Sequence, residues 1–274
     1  MPLSPQILTA LVILLVGLVA VWGILESVAL AALFTVIEIG GLGLVVWFGL
    51  ASDPAPIANL IPPLEAGAWN GIVAAGLLAF FAFVGFEDIA NVAEEVKQPG
   101  RTLPRGIILT LIIATLIYFT VVSVVVLVVP MSALVGSAAP LALIFESAGP
   151  QVSTLFSIIA IIATVNGALI QVIMASRVLY GLAAQGSLPA VLANVNGITH
   201  TPLLATGLVV AIIFVLAYFL PIGELAEMTS TIVLIVFAFV NMALLRLKWT
   251  GTPPTGDVFQ VPFWVPVLGL LSSG

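Results

Sequence analysis

The sequence predicts an all-α protein, a polytopic bundle of helices that span a membrane. Of its 274 residues, 62% are hydrophobic and only 7% are charged, and the mean hydropathy is +1.34. Soluble domains carry about 25% charged residues, so a chain as apolar as this one must be surrounded by lipid. The apolar residues also form continuous runs. Such runs favour helices over a closed barrel, whose strands would show short alternating segments.

Seven apolar runs reach the length of about 20 residues that a spanning helix needs. We expect one transmembrane domain over residues 1–274, truncated at both ends because an eighth run is cut off at the last residue. The predicted spans cover residues 7–25, 28–50, 69–94 (broken near 83–88), 104–129, 151–180, 202–221 and 225–246, with a partial span at 261–274.

The basic residues predict the orientation of the chain. If successive spans alternate in direction, all six basic residues fall on one side of the membrane: Lys97, Arg101, Arg105, Arg177, Arg246 and Lys248. By the positive-inside rule that side is cytoplasmic. The N-terminus would then lie outside, which is unusual for a chain that begins at Met1, and we take this as a further sign of a longer parent protein.

The third run contains the first candidate site. Glu87 and Asp88 lie side by side in an apolar segment, directly after Gly85 and Phe86. A carboxylate at the bilayer centre costs about 2.5–3.5 kcal/mol on insertion scales. One interpretation is a helix that unwinds near residues 83–88 and binds a polar solute with its freed backbone groups, as broken transporter helices do. The other is a continuous helix that emerges early into the cytoplasm.

Two further polar residues lie deep within predicted spans. Glu38 is near the middle of the second span, followed by Gly40, Gly41 and Gly43, and Asn166 is deep in the fifth. Burial favours the neutral form of a carboxyl group, so Glu38 is a candidate carrier of a coupling proton. Alternatively, Glu38 only forms a hydrogen bond to a neighbouring helix. For Asn166, an interhelical hydrogen bond and contact with a ligand are both open.

Composition argues against several other classes of protein. The chain has no cysteine and one histidine, so we predict no metal site and no cofactor. Six basic residues form no basic stripe for nucleic acid. An intramembrane protease would need a buried histidine or two aspartates in different spans, whereas His200 falls in a predicted loop and only Asp88 lies within a span. A non-transporting membrane scaffold and an ion channel remain as alternatives to a transporter.

Three segments resemble the amino acid–polyamine–organocation permeases. The segment FFAFVGFEDIANVAEEVKQPGRTLPRGI is similar to that family's sixth span and following loop, F-x-G-F and then A-E-E-V-K-N-P-x-R-x-L-P, with Gln98 at the usual Asn. The segment ASRVLYGLAAQGSLP is similar to the end of its eighth span, although Ala184 and Gln185 stand where the family has an Arg and an acidic residue. More weakly, GILESVALAALFTVIEIGGLGLVV resembles its fourth-to-fifth span turn.

This resemblance implies spans four to eleven of a twelve-span secondary transporter with the leucine-transporter type of five-plus-five inverted repeat, here incomplete. It implies a permease of the cell membrane, surrounded by the lipid bilayer, whose substrate is an amino acid or amine. The position of Glu38 favours a proton as the coupling ion, and exchange without a coupling ion stays open as the alternative. The substrate-binding residues would be those of the break, Phe83, Val84, Gly85, Phe86 and Glu87. Because the family's broken first span has no counterpart here, we expect no transport by these residues alone.

Overall fold

The computed structural model describes residues 5–61, 65–91, 93, 96–137, 139–146, 148–251 and 259–273. Within these ranges the regular structure is helical and no strand occurs, so the predicted all-α fold class is confirmed. The α-helices in chain order are α1 Pro5–Trp22, α2 Ile24–Ala51, α3 Ala66–Phe81, α4 Asp88–Asn91, α5 Pro99–Val128, α6 Met131–Leu134, α7 Pro150–Ala184, α8 Leu203–Phe219, α9 Ile222–Trp249 and α10 Trp264–Ser273. Short 3₁₀ turns cover Ile57–Leu60, Pro140–Phe145 and Ala190–Ala193.

Four of the described helices, in α2, α5, α7 and α9, are long and apolar enough to cross a membrane. Their outward surfaces carry large apolar side chains, such as Phe119 at 69% exposure and Trp249 at 85%. In water such surfaces would be unstable, whereas in lipid they are in their preferred solvent. Helices α1, α3, α8 and α10 are also apolar but shorter. The residues at which each helix enters and leaves the bilayer stay a prediction.

The first of two compact units comprises residues 1–62 and 115–219. One buried cluster joins α2, the second half of α5, α7 and the 3₁₀ turn before α7, where Phe145 stacks on Phe156 with ring centroids 4.5 Å apart. A second cluster joins α1, α7 and α8 around Leu169 and Val16. Helix α7 belongs to both clusters and so forms the centre of this unit.

The second unit comprises residues 63–114 and 220–274. In it, α9 packs against both α3 and α10. Close approach of α10 to α9 depends on Gly269, since a β-carbon there would lie only 2.4 Å from Asn241 Oδ1. At the end of α9, Lys248 Nζ donates a hydrogen bond of 2.5 Å to the carbonyl of Val261, which fixes the segment leading into α10.

Several helix ends differ from the ends of the predicted spans. We expected a connection at residues 25–28, but the chain turns at Gly23, and Glu26 lies in the first turn of α2, where its charge suits the positive end of the helix dipole. Ser27 Oγ then donates to the carbonyl of Val19 at 2.7 Å across this turn. The predicted end of the third span at residue 94 and the last residue, 274, lie outside the described residues.

Candidate functional site

Thr35, Glu38 and Asn166 form a polar cluster within the first unit. Asn166 is 1% exposed, and its Nδ2 group donates to Glu38 Oε1 at 2.7 Å and to Thr35 Oγ1 at 3.2 Å. Thr35 in turn donates to the carbonyl of Ala31 in its own helix. The structure therefore joins two polar residues that the sequence had singled out separately, and it adds a threonine to them.

Helix register and one glycine explain how this polar cluster forms. Thr35 precedes Glu38 by three residues, which places both on the same face of α2. Gly41 extends that face by a further turn, and a β-carbon at Gly41 would lie 2.5 Å from Ile159 Cγ2 of α7. The pairs Glu38–Asn166 and Gly41–Ile159 run in opposite directions along the two helices, so α2 and α7 are antiparallel here and closely packed.

One acceptor of the polar cluster lacks a donor. Among the described residues, none donates a hydrogen bond to Asn166 Oδ1, which is buried. An unsatisfied buried polar group costs about 1–3 kcal/mol, so this oxygen is available to a hydrogen-bond donor that reaches the cluster. The phenol of Tyr118 also lies within electrostatic range of the Glu38 carboxyl group. The cluster therefore brings together an ionisable side chain, a neutral amide and an acceptor that lacks a donor among the described residues.

The second candidate site is an interruption of helical structure in the second unit. Helix α3 ends at Phe81, residues 82–87 form successive turns, and α4 begins at Asp88. The backbone bonds through this stretch span three residues, as from Val84 N to the Phe81 carbonyl and from Asp88 N to the Gly85 carbonyl. Gly85 has φ +115°, a conformation that a side chain disfavours and glycine adopts readily. We call residues 82–87 the break.

Free backbone groups and a folded-back carboxylate characterise the break. Glu87 Oε2 accepts a hydrogen bond of 2.9 Å from the Gly85 N–H, which stabilises the turn at Gly85. Within the described parts of the chain, the N–H groups of Phe86 and Glu87 and the carbonyl of Val84 have no hydrogen-bond partner. Two donors and one acceptor of the main chain are thus available within a few residues of one another.

Phe237 of α9 supports the break from one side. Its ring centroid lies 5.7 Å from that of Phe86 and 6.1 Å from that of Phe80, so it packs against residues on both sides of Gly85. Phe83 is half-buried. The contribution of Phe237 was not predicted, because aromatic residues are common in apolar helices and no sequence signal pairs one with a particular partner.

The five predicted substrate-binding residues, Phe83 to Glu87, all fall in the break, and their role in binding stays a prediction. The adjacent acidic pair of the loop motif, Glu94 and Glu95, lies outside the described residues. Of the three glycines that follow Glu38, Gly41 is the one at which a β-carbon would meet a neighbouring helix, whereas a β-carbon at Gly40 or Gly43 would meet nothing described within 4 Å.

Comparison with known proteins gives one consistent result. The model of the amino acid permease family matches residues 4–273. The branched-chain amino acid permease of Bacillus subtilis (strain 168) is 29% identical over 90% of this chain and 52% of its own length. The vacuolar cationic amino acid transporter 4 of Arabidopsis thaliana is 30% identical over 90% of this chain and 41% of its own length. The methylthioribose transporter of Bacillus subtilis is 29% identical over 97% of this chain and 56% of its own length.

Each of these matches covers a larger share of this chain than of the relative. This chain is covered almost completely, yet it spans only about half the length of the Bacillus permease. All of these relatives bear the names of transporters, and the described helices are apolar enough for a membrane. Because the family model covers nearly every residue, the chain belongs to the amino acid permease family, a family of integral membrane proteins.

Proposed function

We propose that the protein carrying this chain is a secondary active transporter that moves amino acids or related amines across the cell membrane. The observation that carries this proposal is the break at residues 82–87, where an apolar helix gives up its regular hydrogen bonds. Such bonds are absent in lipid only where the backbone faces protein, water or a ligand. Interrupted helices of this kind form the binding sites of many secondary transporters, and family membership supports the same function.

The break would bind the two charged ends of an amino acid. The free N–H groups of Phe86 and Glu87 suit the substrate carboxylate, and the free carbonyl of Val84 suits its ammonium group. Gly85 would bring the main chain close to the substrate, while the rings of Phe83 and Phe86 would cover it. In this proposal Glu87 holds the turn, because its carboxylate already accepts the Gly85 N–H.

Glu38 is proposed as the residue that carries a coupling proton. It lies near the middle of α2 and is half-buried, where its charged form is costly unless compensated. The Asn166 amide compensates it by donating at 2.7 Å. Protonation would remove the charge that strengthens this bond and would turn one carboxyl oxygen into a donor. The altered bonding between α2 and α7 offers a physical route from proton binding to helix movement. Exchange of one substrate for another, without a proton, is the alternative mode.

The names of the relatives leave the substrate open among several classes. They name branched-chain amino acids, cationic amino acids and methylthioribose. Main-chain groups alone bind the backbone of any amino acid, whereas a sugar such as methylthioribose has no ammonium group for the Val84 carbonyl. We therefore propose an amino acid or an amine as the substrate of this protein.

The direct test is uptake into proteoliposomes that contain the protein carrying this chain. Radiolabelled leucine, arginine and methylthioribose are offered in turn, with and without an inward proton gradient. We expect saturable uptake of an amino acid. Uptake of none of the three, with normal insertion, would favour a membrane scaffold, and single-channel currents without saturation would favour an ion channel. Preference for methylthioribose would contradict the substrate class.

A further inference from the structure

A pocket of about 390 Å³ lies beside the first turns of α5, within the second unit. One wall is α5 itself, and the other is the segment that precedes α10. The residues that line it include Arg101, Pro104, Arg105, Ile108, Phe259 and Gln260. Its volume falls in the range typical of small-ligand sites, about 300–1,000 Å³.

Positive charge is concentrated around this pocket. Arg101 and Arg105 are one helical turn apart and so share a face of α5. Lys248 does not line the pocket, but it donates to the carbonyl of Val261, the neighbour of Gln260. Among the described residues that line the pocket, none is acidic. Two like charges one helical turn apart repel each other, and an anion between them lowers that repulsion.

Arg105 has the capacity to bind that anion. Within the described residues, its guanidinium group makes no hydrogen bond or ion pair. Guanidinium groups bind phosphate oxygens in pairs with defined geometry, which a single ammonium group does not do. Phosphate is therefore the anion that an arginine pair on one helix face fits best.

The other half of the pocket is apolar. Ile108 lies one turn further along α5 than Arg105 and is 49% exposed, and Phe259 opposite is 58% exposed. Beyond Ile108, α5 continues as an apolar helix to Val128. The pocket thus changes from basic to apolar along the helix. Its basic half suits the phosphate of a phospholipid, and its apolar half suits the acyl chains. A soluble phosphate would use only the basic half.

We propose that this pocket binds an anionic phospholipid of the cytoplasmic leaflet, with the phosphate on Arg101 and Arg105 and an acyl chain along Ile108. Basic pockets at the cytoplasmic side of membrane helices are suited to anionic headgroups, and the positive-inside rule assigns these arginines to that side. The proposal is independent of which solute is transported, since none of these residues belongs to the break.

The test compares lipid binding to the purified full chain by native mass spectrometry. Phosphatidylglycerol, phosphatidylcholine and inorganic phosphate are titrated separately into wild type, an Arg101→Gln/Arg105→Gln double variant and Arg246→Gln. Arg246 is an exposed basic residue on the same predicted side but outside the pocket. We expect wild type to prefer phosphatidylglycerol, and the double variant to lose about thirtyfold in affinity, from about 1 kcal/mol for each basic residue.

Three results would overturn the proposal. The first is equal affinity for phosphatidylglycerol and phosphatidylcholine in wild type. The second is a loss in Arg246→Gln as large as in the pocket variant, which would show general attraction to an anionic surface. The third is displacement of phosphatidylglycerol by inorganic phosphate at comparable concentration, which would indicate a soluble phosphate as the ligand.

A second measurement keeps both arginines, in case the double variant fails to fold. The chain has no cysteine, so Gln260→Cys introduces a unique thiol at the edge of the pocket. Its rate of modification by a maleimide is measured in vesicles of phosphatidylcholine, with and without an equal part of phosphatidylglycerol. We expect slower modification with phosphatidylglycerol, and a cysteine at Met131, outside the pocket, as an unaffected control. Equal rates at Gln260→Cys would contradict the proposal.

Discussion

Asn166 Nδ2 lies 2.7 Å from Glu38 Oε1, and this hydrogen bond joins side chains 128 positions apart in the sequence. It pairs an ionisable group with a neutral amide at the contact between α2 and α7. The amide can donate to the carboxylate, but it cannot neutralise its charge.

If Glu38 carries the coupling proton, Glu38→Gln will abolish pH-driven accumulation of substrate. The glutamine side chain has the same shape and keeps an oxygen to accept from Asn166, but it cannot bind and release a proton at physiological pH. Exchange of substrate for substrate should survive, since it needs no net proton movement. Uptake into proteoliposomes measures both modes, with Glu224→Gln at the exposed start of α9 as the control. Normal proton-driven accumulation in Glu38→Gln would show that Glu38 only packs.

Removal of the amide should weaken the contact between the two helices. Asn166→Ala deletes hydrogen bonds to both Glu38 and Thr35, and we expect a loss of about 1–2 kcal/mol, since such bonds between membrane helices average about 0.6 kcal/mol and truncation adds a cavity. Thr164→Ala is the matched control on the same helix, because Thr164 is exposed and bonds only to the carbonyl of Ala160 in its own helix. Equal thermal stability of the two variants would contradict the importance of the pair.

Gly41 and Gly43 provide a direct test of helix spacing. Gly41→Leu places a side chain where even a β-carbon would lie 2.5 Å from Ile159, whereas Gly43 has open space around it. Overpacking typically costs about 1–3 kcal/mol, so Gly41→Leu should lower the midpoint of thermal unfolding and impair proton coupling. Gly43→Leu should do neither. Similar effects of both substitutions would mean that α2 and α7 are not in close contact at Gly41.

The fold class could be predicted because it depends on composition and on the length of apolar runs, and both are read directly from the sequence. The pairing of Glu38 with Asn166 could not be predicted from the sequence, because it depends on the register between two helices that are far apart in the chain. Thr35 was missed for a different reason. Threonine hydroxyls in helices commonly bond to their own helix, as Thr35 does to Ala31, so nothing in the sequence indicates that its oxygen also accepts from another helix.

The break at residues 82–87 was easier to anticipate than the polar cluster. Gly85 and the adjacent charges of Glu87 and Asp88 are local signals, and the energetic conflict between charge and lipid requires no knowledge of neighbouring helices. The contact with Phe237 lay beyond such local reasoning, because α9 reaches the break only through tertiary packing.

The orientation predicted from the basic residues can be tested by labelling. Since the chain has no cysteine, single cysteines at Arg101 and Arg177 report the side of the membrane without background. We expect an impermeant maleimide to modify both from the cytoplasmic side, and a cysteine at Met131 to be modified from the opposite side. Modification of positions 101 and 177 from opposite sides would contradict the predicted arrangement of the spans.

The central claim is that the break binds the substrate, and saturable binding of a radiolabelled amino acid to Gly85→Leu tests it most directly. Leucine disfavours the φ of +115° at this position, at a cost of about 1–3 kcal/mol. Gly76→Leu, in open space within α3, is the matched control. Loss of binding in Gly85→Leu alone, with both variants inserted normally, is the predicted result. Unchanged binding in Gly85→Leu would contradict the claim.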